Sequence, residues 1–338
     1  MKIKYSLLLL VSAAALFCGC GEDEEETKLY LSGSAVVKGI PAYVNKGEVY
    51  SIKAYGLYKT SKTDSLLGWR YLNPFTAEYD TLRLETDAAT VKPWFDFAIS
   101  KDTLGTFSLT ANAWADGYYS SSGSASFTIV DASLENGSLK GHPFGPGVDS
   151  FTDPRDGVTY YTNKIGDATW MLQNLAWEGS GYPYAGAEDM NMIFGRYYSW
   201  DEAVSACPEG WKLPSDSDFA ALARAAGAAG AVEREDAAGA AGSLMGDVYF
   251  NGRKMWEYWP AVPISNSTLF TALPVGFMQR TDGAVSFSEI YNYSVFWTSD
   301  SEGDSALARY IYADKNVLFV GALDKTRTAA SVRCVKAD

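Results

Sequence analysis

Histidine is almost missing: the 338 residues contain one, His142, set beside Pro143 in a stretch rich in Gly, Pro and Ser. Catalysis and metal binding built on histidine are therefore closed to the rest of the chain. Positive charge is scarce as well. Against 41 Asp and Glu there are 28 Lys and Arg, a formal net charge of −13, and no Lys/Arg cluster offsets it. Nucleic acid and anionic membrane surfaces attract basic faces, so the charge argues against both as partners. No P-loop, nucleophile elbow or dinucleotide fingerprint occurs. The apolar run over 7–17 is too short to cross a bilayer as a helix. What remains is the composition of a folded chain, 47% hydrophobic and 14% aromatic, at a length that suggests two domains.

Lys2 and Lys4 ahead of the apolar run mark residues 1–20 as a targeting segment. Phe17-Cys18-Gly19-Cys20 resembles a bacterial lipoprotein signal, with Phe17 where Leu is usual. The acidic tract over 21–28 resembles the tether that sends Bacteroidetes lipoproteins to the outer face of the outer membrane. The resemblance implies lipidation at Cys20, cell-surface exposure, and membrane contact only through that anchor. An ordinary secretory peptide followed by an acidic linker is the alternative. On the lipoprotein reading Cys18 leaves with the signal and Cys20 takes the lipid. Cys207 and Cys334 then remain as one pair in an oxidising compartment. Two free buried thiols are the other reading.

Residues 29–131 have an all-β texture. Short alternating runs such as Val49-Tyr50-Ser51-Ile52 and Thr106-Phe107-Ser108-Leu109 are separated by Gly, Asn, Asp and Pro at the intervals of a sandwich. Trp69 stands where an immunoglobulin-like sandwich often puts its core tryptophan. The segment resembles a bacterial Ig-like or PKD-like module, which implies a spacer or docking role. Residues 132–150 break the periodicity and read as a linker. In the second half, Ser199/Glu202 and Ser215/Asp218 have capping-box spacing, so two helices start there. Pro208, Gly210 and Pro214 form a rigid turn between them. Trp200, Ala203, Val204 and Cys207 fall on one face of the first helix; Phe219, Leu222, Ala223 and Ala226 continue a face in the second. The Ala/Gly-rich 225–242 predicts a frayed helix or mobile loop.

The motifs of residues 151–338 carry a resemblance. Asp153-Pro154-Arg155-Asp156-Gly157, Ile165-Gly166 with Trp170-Met171 and Asn174-Leu175, Gly195-Arg196-Tyr197-Tyr198-Ser199-Trp200, Cys207-Pro208 with Gly210-Trp211 and Leu213-Pro214, and Ser331-Val332-Arg333-Cys334-Val335 resemble the Fibrobacter succinogenes major paralogous domain family. The resemblance implies an α+β C-type-lectin-like domain behind the all-β sandwich, in a multidomain chain. Formylglycine-generating enzymes share that fold type but need a reactive thiol. Here both cysteines of the domain take structural positions, so a non-enzymatic role is expected. Sugar-binding C-type lectins share a calcium ion through a Glu-Pro-Asn-like tripeptide, which this sequence lacks. Asp300, Glu302 and Asp304 are its remaining candidate ligands for Ca²⁺, and no metal or other cofactor is expected.

In domains of this fold type the segment before the terminal Arg-Cys strand carries ligand contacts. Here it is rich in Tyr, Asn and Ser, residues that binding loops favour. Tyr291, Asn292, Tyr293, Ser299 and Asp300 are the candidate contacts, with Trp297 in the core beneath. The run from Trp256 to Pro260 is a second aromatic group that could stack on a sugar; burial in the core is the other reading. The expected role is adhesion to a glycan or a surface protein; a structural or fimbria-associated subunit with no ligand of its own is the alternative. Asp64-Ser65-Leu66, Asp80-Thr81-Leu82, Asp102-Thr103-Leu104 and Asp304-Ser305-Ala306 resemble Bacteroidetes O-glycosylation acceptors.

Overall fold

A computed structural model describes residues 28–60, 67–81, 94–134, 137–230, 233–256 and 262–337. Cys20, the signal and residues 21–27 of the acidic tether lie outside the described residues, as do 257–261 and the tripeptide at 64–66. The described chain is mostly β, in several sheets.

A pair of sheets face one another in the N-terminal domain. One holds β1 (Ser32–Lys38), β3 (Val49–Tyr58) and β6 (Trp94–Ala98) in the order β1-β3-β6. The other runs β2-β8-β7-β4-β5, with β2 at Tyr43–Asn45, β4 at Gly68–Leu72, β5 at Tyr79–Thr81, β7 at Gly105–Trp114 and β8 at Ser121–Val130. Strand alternation builds the core between them. Ile52 and Phe97 from one sheet meet Val44, Leu109, Phe127 and Ile129 from the other, and Trp69 is buried with Ala111 and Ala113.

The C-terminal domain closes on itself. β9 (Asp149–Thr152), β10 (Thr159–Ile165) and β11 (Ala168–Met171) share a sheet with the last strand, β20 (Val335–Lys336), through Trp170 opposite Val335. β13 (Trp211–Lys212) pairs the far side of β20. The larger sheet contains, side by side, β12 (Arg196–Ser199), β19 (Thr328–Ser331), β16 (Tyr293–Glu302), β17 (Ser305–Tyr312) and β18 (Val317–Asp324). The hairpin of β14 (Phe277–Thr281) and β15 (Ala284–Ser288) joins it through β19.

Helices α1 (Trp200–Ala206) and α2 (Asp216–Ala225) start as their capping boxes dictate: Glu202 accepts the Ser199 N–H at 2.8 Å, and Ser215 accepts the Asp218 N–H at 3.1 Å. In α2, Phe219, Leu222 and Ala223 are buried. The expected face of α1 is corrected. Val204 is 46% exposed, while Ala203 and Ala206 face the core. With seven residues the helix lies flat on its sheet, and the small alanines permit the close approach. Cys207 follows as the C-cap and is bonded to Cys334. In the 225–242 stretch, Ala237–Ala238 pairs with β18 and Ala228, Ala240 and Ala241 are buried, so the small residues pack rather than fray; residues 231–232 lie outside the described residues.

Motif residues from distant stretches of the sequence converge on Arg333. Its guanidinium is fully buried. It donates to Asn174 Oδ1 at 2.7 Å and to the Phe270 carbonyl, and it lies over the Phe270 ring at 4.5 Å. Burial pushes its pKa down to about 9, so it remains a cation at neutral pH. Asn174 in turn donates to the Phe194 carbonyl. Gly195 has φ +79°, and a Cβ there would sit 2.4 Å from Asn174 Cβ, so only glycine fits. Between the two halves, Leu139–Lys140 pairs with Tyr249–Phe250, Asn251 donates to the Ile129 carbonyl at 2.8 Å, and Tyr43 meets the Tyr184 ring edge-on at 5.5 Å. His142 stacks on Phe144, with Nε2 at 2.5 Å from the Leu134 carbonyl.

Candidate functional site

The five contacts expected from sequence do not share one surface. They straddle β16, and six residue steps of extended chain separate Tyr293 from Ser299 by about 20 Å. Tyr291, at φ +73°, packs against the buried cluster that includes Leu273 and Val275, with the Arg253 guanidinium 3.8 Å above its ring. Asn292 is exposed in the turn, where its carbonyl accepts the Ala313 N–H at 2.9 Å. At the far end Ser299 is exposed and its N–H reaches the Pro214 carbonyl at 2.8 Å. Asp300 Oδ2 accepts the Asp216 N–H at 2.7 Å, which ties this carboxylate to the start of α2. Trp297 is fully buried, as expected, and its indole N–H binds the Tyr198 carbonyl.

Tyr293 is different. It opens the β16 face on which Val295 and Trp297 follow, and the antiparallel register sets Tyr293 opposite Tyr312 and Val295 opposite Tyr310. β18 then places Phe319 opposite Tyr310 and Gly321 opposite Ala308. The result is a ledge of rings on one sheet face. Tyr310 and Phe319 stack at 5.3 Å and 12°, Tyr293 and Tyr312 lie 4.7 Å apart, and Phe277 meets Tyr293 edge-on at 5.8 Å. The Tyr310 ring leans over Gly321, where an added Cβ would lie 3.1 Å from it. Tyr312 is 41% exposed and Tyr310 and Phe319 are half-buried, so the rings present edges and faces to solvent. Burial first, then the neighbouring Tyr312 and Tyr310, holds the Tyr293 phenol far above its ordinary range; burial and Tyr312 raise Tyr310 in the same direction. These hydroxyls stay protonated donors at any physiological pH.

Elsewhere the larger sheet differs in chemistry, and Arg309 alternates to the face opposite the ledge. Beyond Leu323, Lys325 Nζ sits 4.3 Å over the Trp200 ring. Under the tip of the β16–β17 hairpin is a hollow of about 160 Å³, lined in part by Arg234, Ser301, Glu302 and Ser305. Below it Arg309 holds Asp216 through two bonds of 2.6 and 2.9 Å in a buried ion pair. A larger hollow, about 450 Å³, lies between Gly166 and the outer side of α2, lined by Asp167, Asp218 and Arg224 with no aromatic ring. Asp218 is committed there to the Ser215 cap and to Lys212 at 3.2 Å. Among the described residues no group of three or more His, Cys, Asp or Glu is placed to hold a metal ion.

Of the candidates named from sequence, Tyr293 alone joins this ring cluster; Tyr310, Tyr312 and Phe319 are not among them. The signal was present in Tyr310-Ile311-Tyr312, a period-two pair of tyrosines that must share a face if the segment is a strand. Trp256 is fully buried, its indole N–H on the Ala272 carbonyl, so it is core rather than a platform.

Among solved structures, the chain is similar to the adhesin InvE of Yersinia pseudotuberculosis, at 12% identity and a TM-score of 0.25 over 90% of this chain and 70% of that one. That likeness is too distant to support an argument. No curated protein matches. The model of the Fibrobacter succinogenes major domain matches residues 164–336, a span that contains Asn174, Arg333, both cysteines of the bridge and the aromatic ledge. The chain belongs to the Fibrobacter succinogenes major domain family.

Proposed function

We propose that this is a lipid-anchored protein of the outer membrane, exposed at the cell surface, whose C-terminal domain is a non-catalytic, C-type-lectin-like module that binds a glycan. An Ig-like sandwich carries it as a spacer. The observation that carries the reading is the ledge of Tyr310, Tyr312 and Phe319 resting on the buried Tyr293: packed rings, the outer three partly open to solvent, with the tyrosine hydroxyls at their rims. Such rings stack on the apolar face of a sugar while the hydroxyls bind its edge. The lectin-like architecture is supported by the sheet shared between the domain's first strands and its last, with two helices against the larger sheet. The lipid anchor rests on the Cys20 motif alone. No catalytic role is assigned, because the best-placed carboxylates, Asp216 and Asp300, are consumed by Arg309 and by the α2 terminus.

The test is an array of glycans and surface proteins probed with the full chain, with and without calcium. A discrete set of bound glycans, lost with Tyr310→Ala/Phe319→Ala, is the expected result. Binding confined to proteins would move the ligand to that class. Blank arrays with calcium present would contradict a binding role and favour a structural subunit.

A further inference from the structure

The outer face of the N-terminal sheet is not the neutral surface of a plain spacer. Along β7, Thr106, Ser108 and Thr110 stand opposite Thr128, Ser126 and Ser124 of β8, and two of these pairs are hydrogen-bonded, at 3.0 and 2.8 Å. Asn112 continues the row, and Trp114 ends it, 38% exposed. The row spans about 27 Å at the rise of an antiparallel strand. Trp114 lies flat because its cross-strand neighbour is Gly68, where any Cβ would fall 2.3 Å from the indole.

Beside it, Arg70 is exposed, with its guanidinium 4.1 Å from the Tyr79 ring and 5.8 Å from the Trp114 ring. Among the described residues no carboxylate pairs with it. On the four strands β8, β7, β4 and β5, Arg70 is the only charged side chain on this face among the described residues, in a chain of net charge −13. The Tyr43 end of the same sheet is covered by Tyr184 of the C-terminal domain, so the open end is the one that carries Trp114, Arg70 and Tyr79. Just beyond the hairpin turn, exposed Tyr119 and Tyr30 stack at 4.9 Å.

We propose that this face binds an acidic polysaccharide, with Arg70 on a sugar carboxylate, Trp114 and Tyr79 stacked on rings, and the hydroxyl rows along the extended chain. A flat strip of alternating donors and acceptors suits a polymer of hydroxyls. A guanidinium pre-positioned by two rings matches a planar carboxylate and loses little entropy on binding it. The inference stands on a different sheet from the ledge and does not depend on what the ledge binds.

The test uses the full chain in native gels containing polygalacturonate, with neutral galactan as the comparison. The wild-type chain should be retarded by polygalacturonate, and its affinity should exceed that for galactan by at least tenfold. Arg70→Gln and Trp114→Ala should each weaken retardation at least tenfold with an unchanged circular-dichroism spectrum. Tyr310→Ala/Phe319→Ala should leave it intact, which separates this site from the ledge. Arg70→Gln replaces an exposed side chain and preserves the fold, so it decides the matter even if Trp114→Ala unfolds. Absence of retardation, equal affinity for galactan, or retardation indifferent to Arg70→Gln would overturn the proposal.

Discussion

Replacing both Cys207 and Cys334 with alanine should cost the chain about 5 kcal/mol. The bond joins the end of α1 to the strand that closes the C-terminal sheet, and 127 residues separate its ends. In the chain-entropy account the cross-link removes a constant plus 1.5R ln n from the freedom of the unfolded chain, which for this loop is about 5 kcal/mol at 25 °C. Cys334 is fully buried among Met171, Leu213, Ala330 and Val332, so the lost sulfur adds a small packing penalty. For a domain of this size the total corresponds to a fall in Tm of roughly 10–20 °C. Urea unfolding followed by tryptophan fluorescence measures it, with the reduced wild-type chain as a second comparison. The m-value should rise slightly, because the unfolded chain without its cross-link exposes more surface while the folded core is unchanged. A loss under about 1 kcal/mol would refute the reasoning: it would mean that the large loop is already restricted in the unfolded state, or that the bond closes nothing the sheet does not close by itself.

Further outcomes follow from other sites. Arg333→Met should destabilise by about 3–5 kcal/mol, since Asn174 Oδ1 and the Phe270 carbonyl lose a charged donor inside the core; the same urea assay checks it. Gly195→Ala should cost more than about 1 kcal/mol, because it meets both a positive φ and the Asn174 side chain. Stability should drop in acid. Burial by itself raises the Asp153 pKa, but the Arg155 guanidinium and the Arg155 N–H outweigh it and hold the carboxyl below the ordinary value; Asp131 is lowered in the same way against burial by Lys46 and Ser133. A depressed carboxyl stabilises the fold above its unfolded pKa and loses that contribution as pH falls through the folded one, so the loss begins below about pH 4. Asp153→Asn should flatten that region of the pH–stability curve.

Local chemistry made some of this structure legible. The capping boxes at Ser199 and Ser215 specify their helix starts within four residues, and Trp69 declares itself by size among alternating small residues. The domain's closure was readable only through motifs, because Asn174 and Arg333 are 159 positions apart and no local rule joins them. The candidate contacts are dispersed for a geometric reason. Nearness along the chain is not nearness in space: β16 is a ten-residue strand, and an extended segment carries its ends apart. Tyr310, Tyr312 and Phe319 meet Tyr293 only through strand register, and Asp300 is held by the start of α2 rather than left to solvent. Spacing misplaces Val204 because a two-turn helix offers too few positions to fix its buried stripe.

The most direct measurement is the affinity of the best array glycan for the full chain and for Tyr310→Ala/Phe319→Ala, read by calorimetry alongside urea stability. If the ledge is the binding face, affinity falls at least tenfold, about 1.4 kcal/mol, while unfolding of the rest of the domain keeps its two-state form. Unchanged affinity in a folded variant would contradict the account.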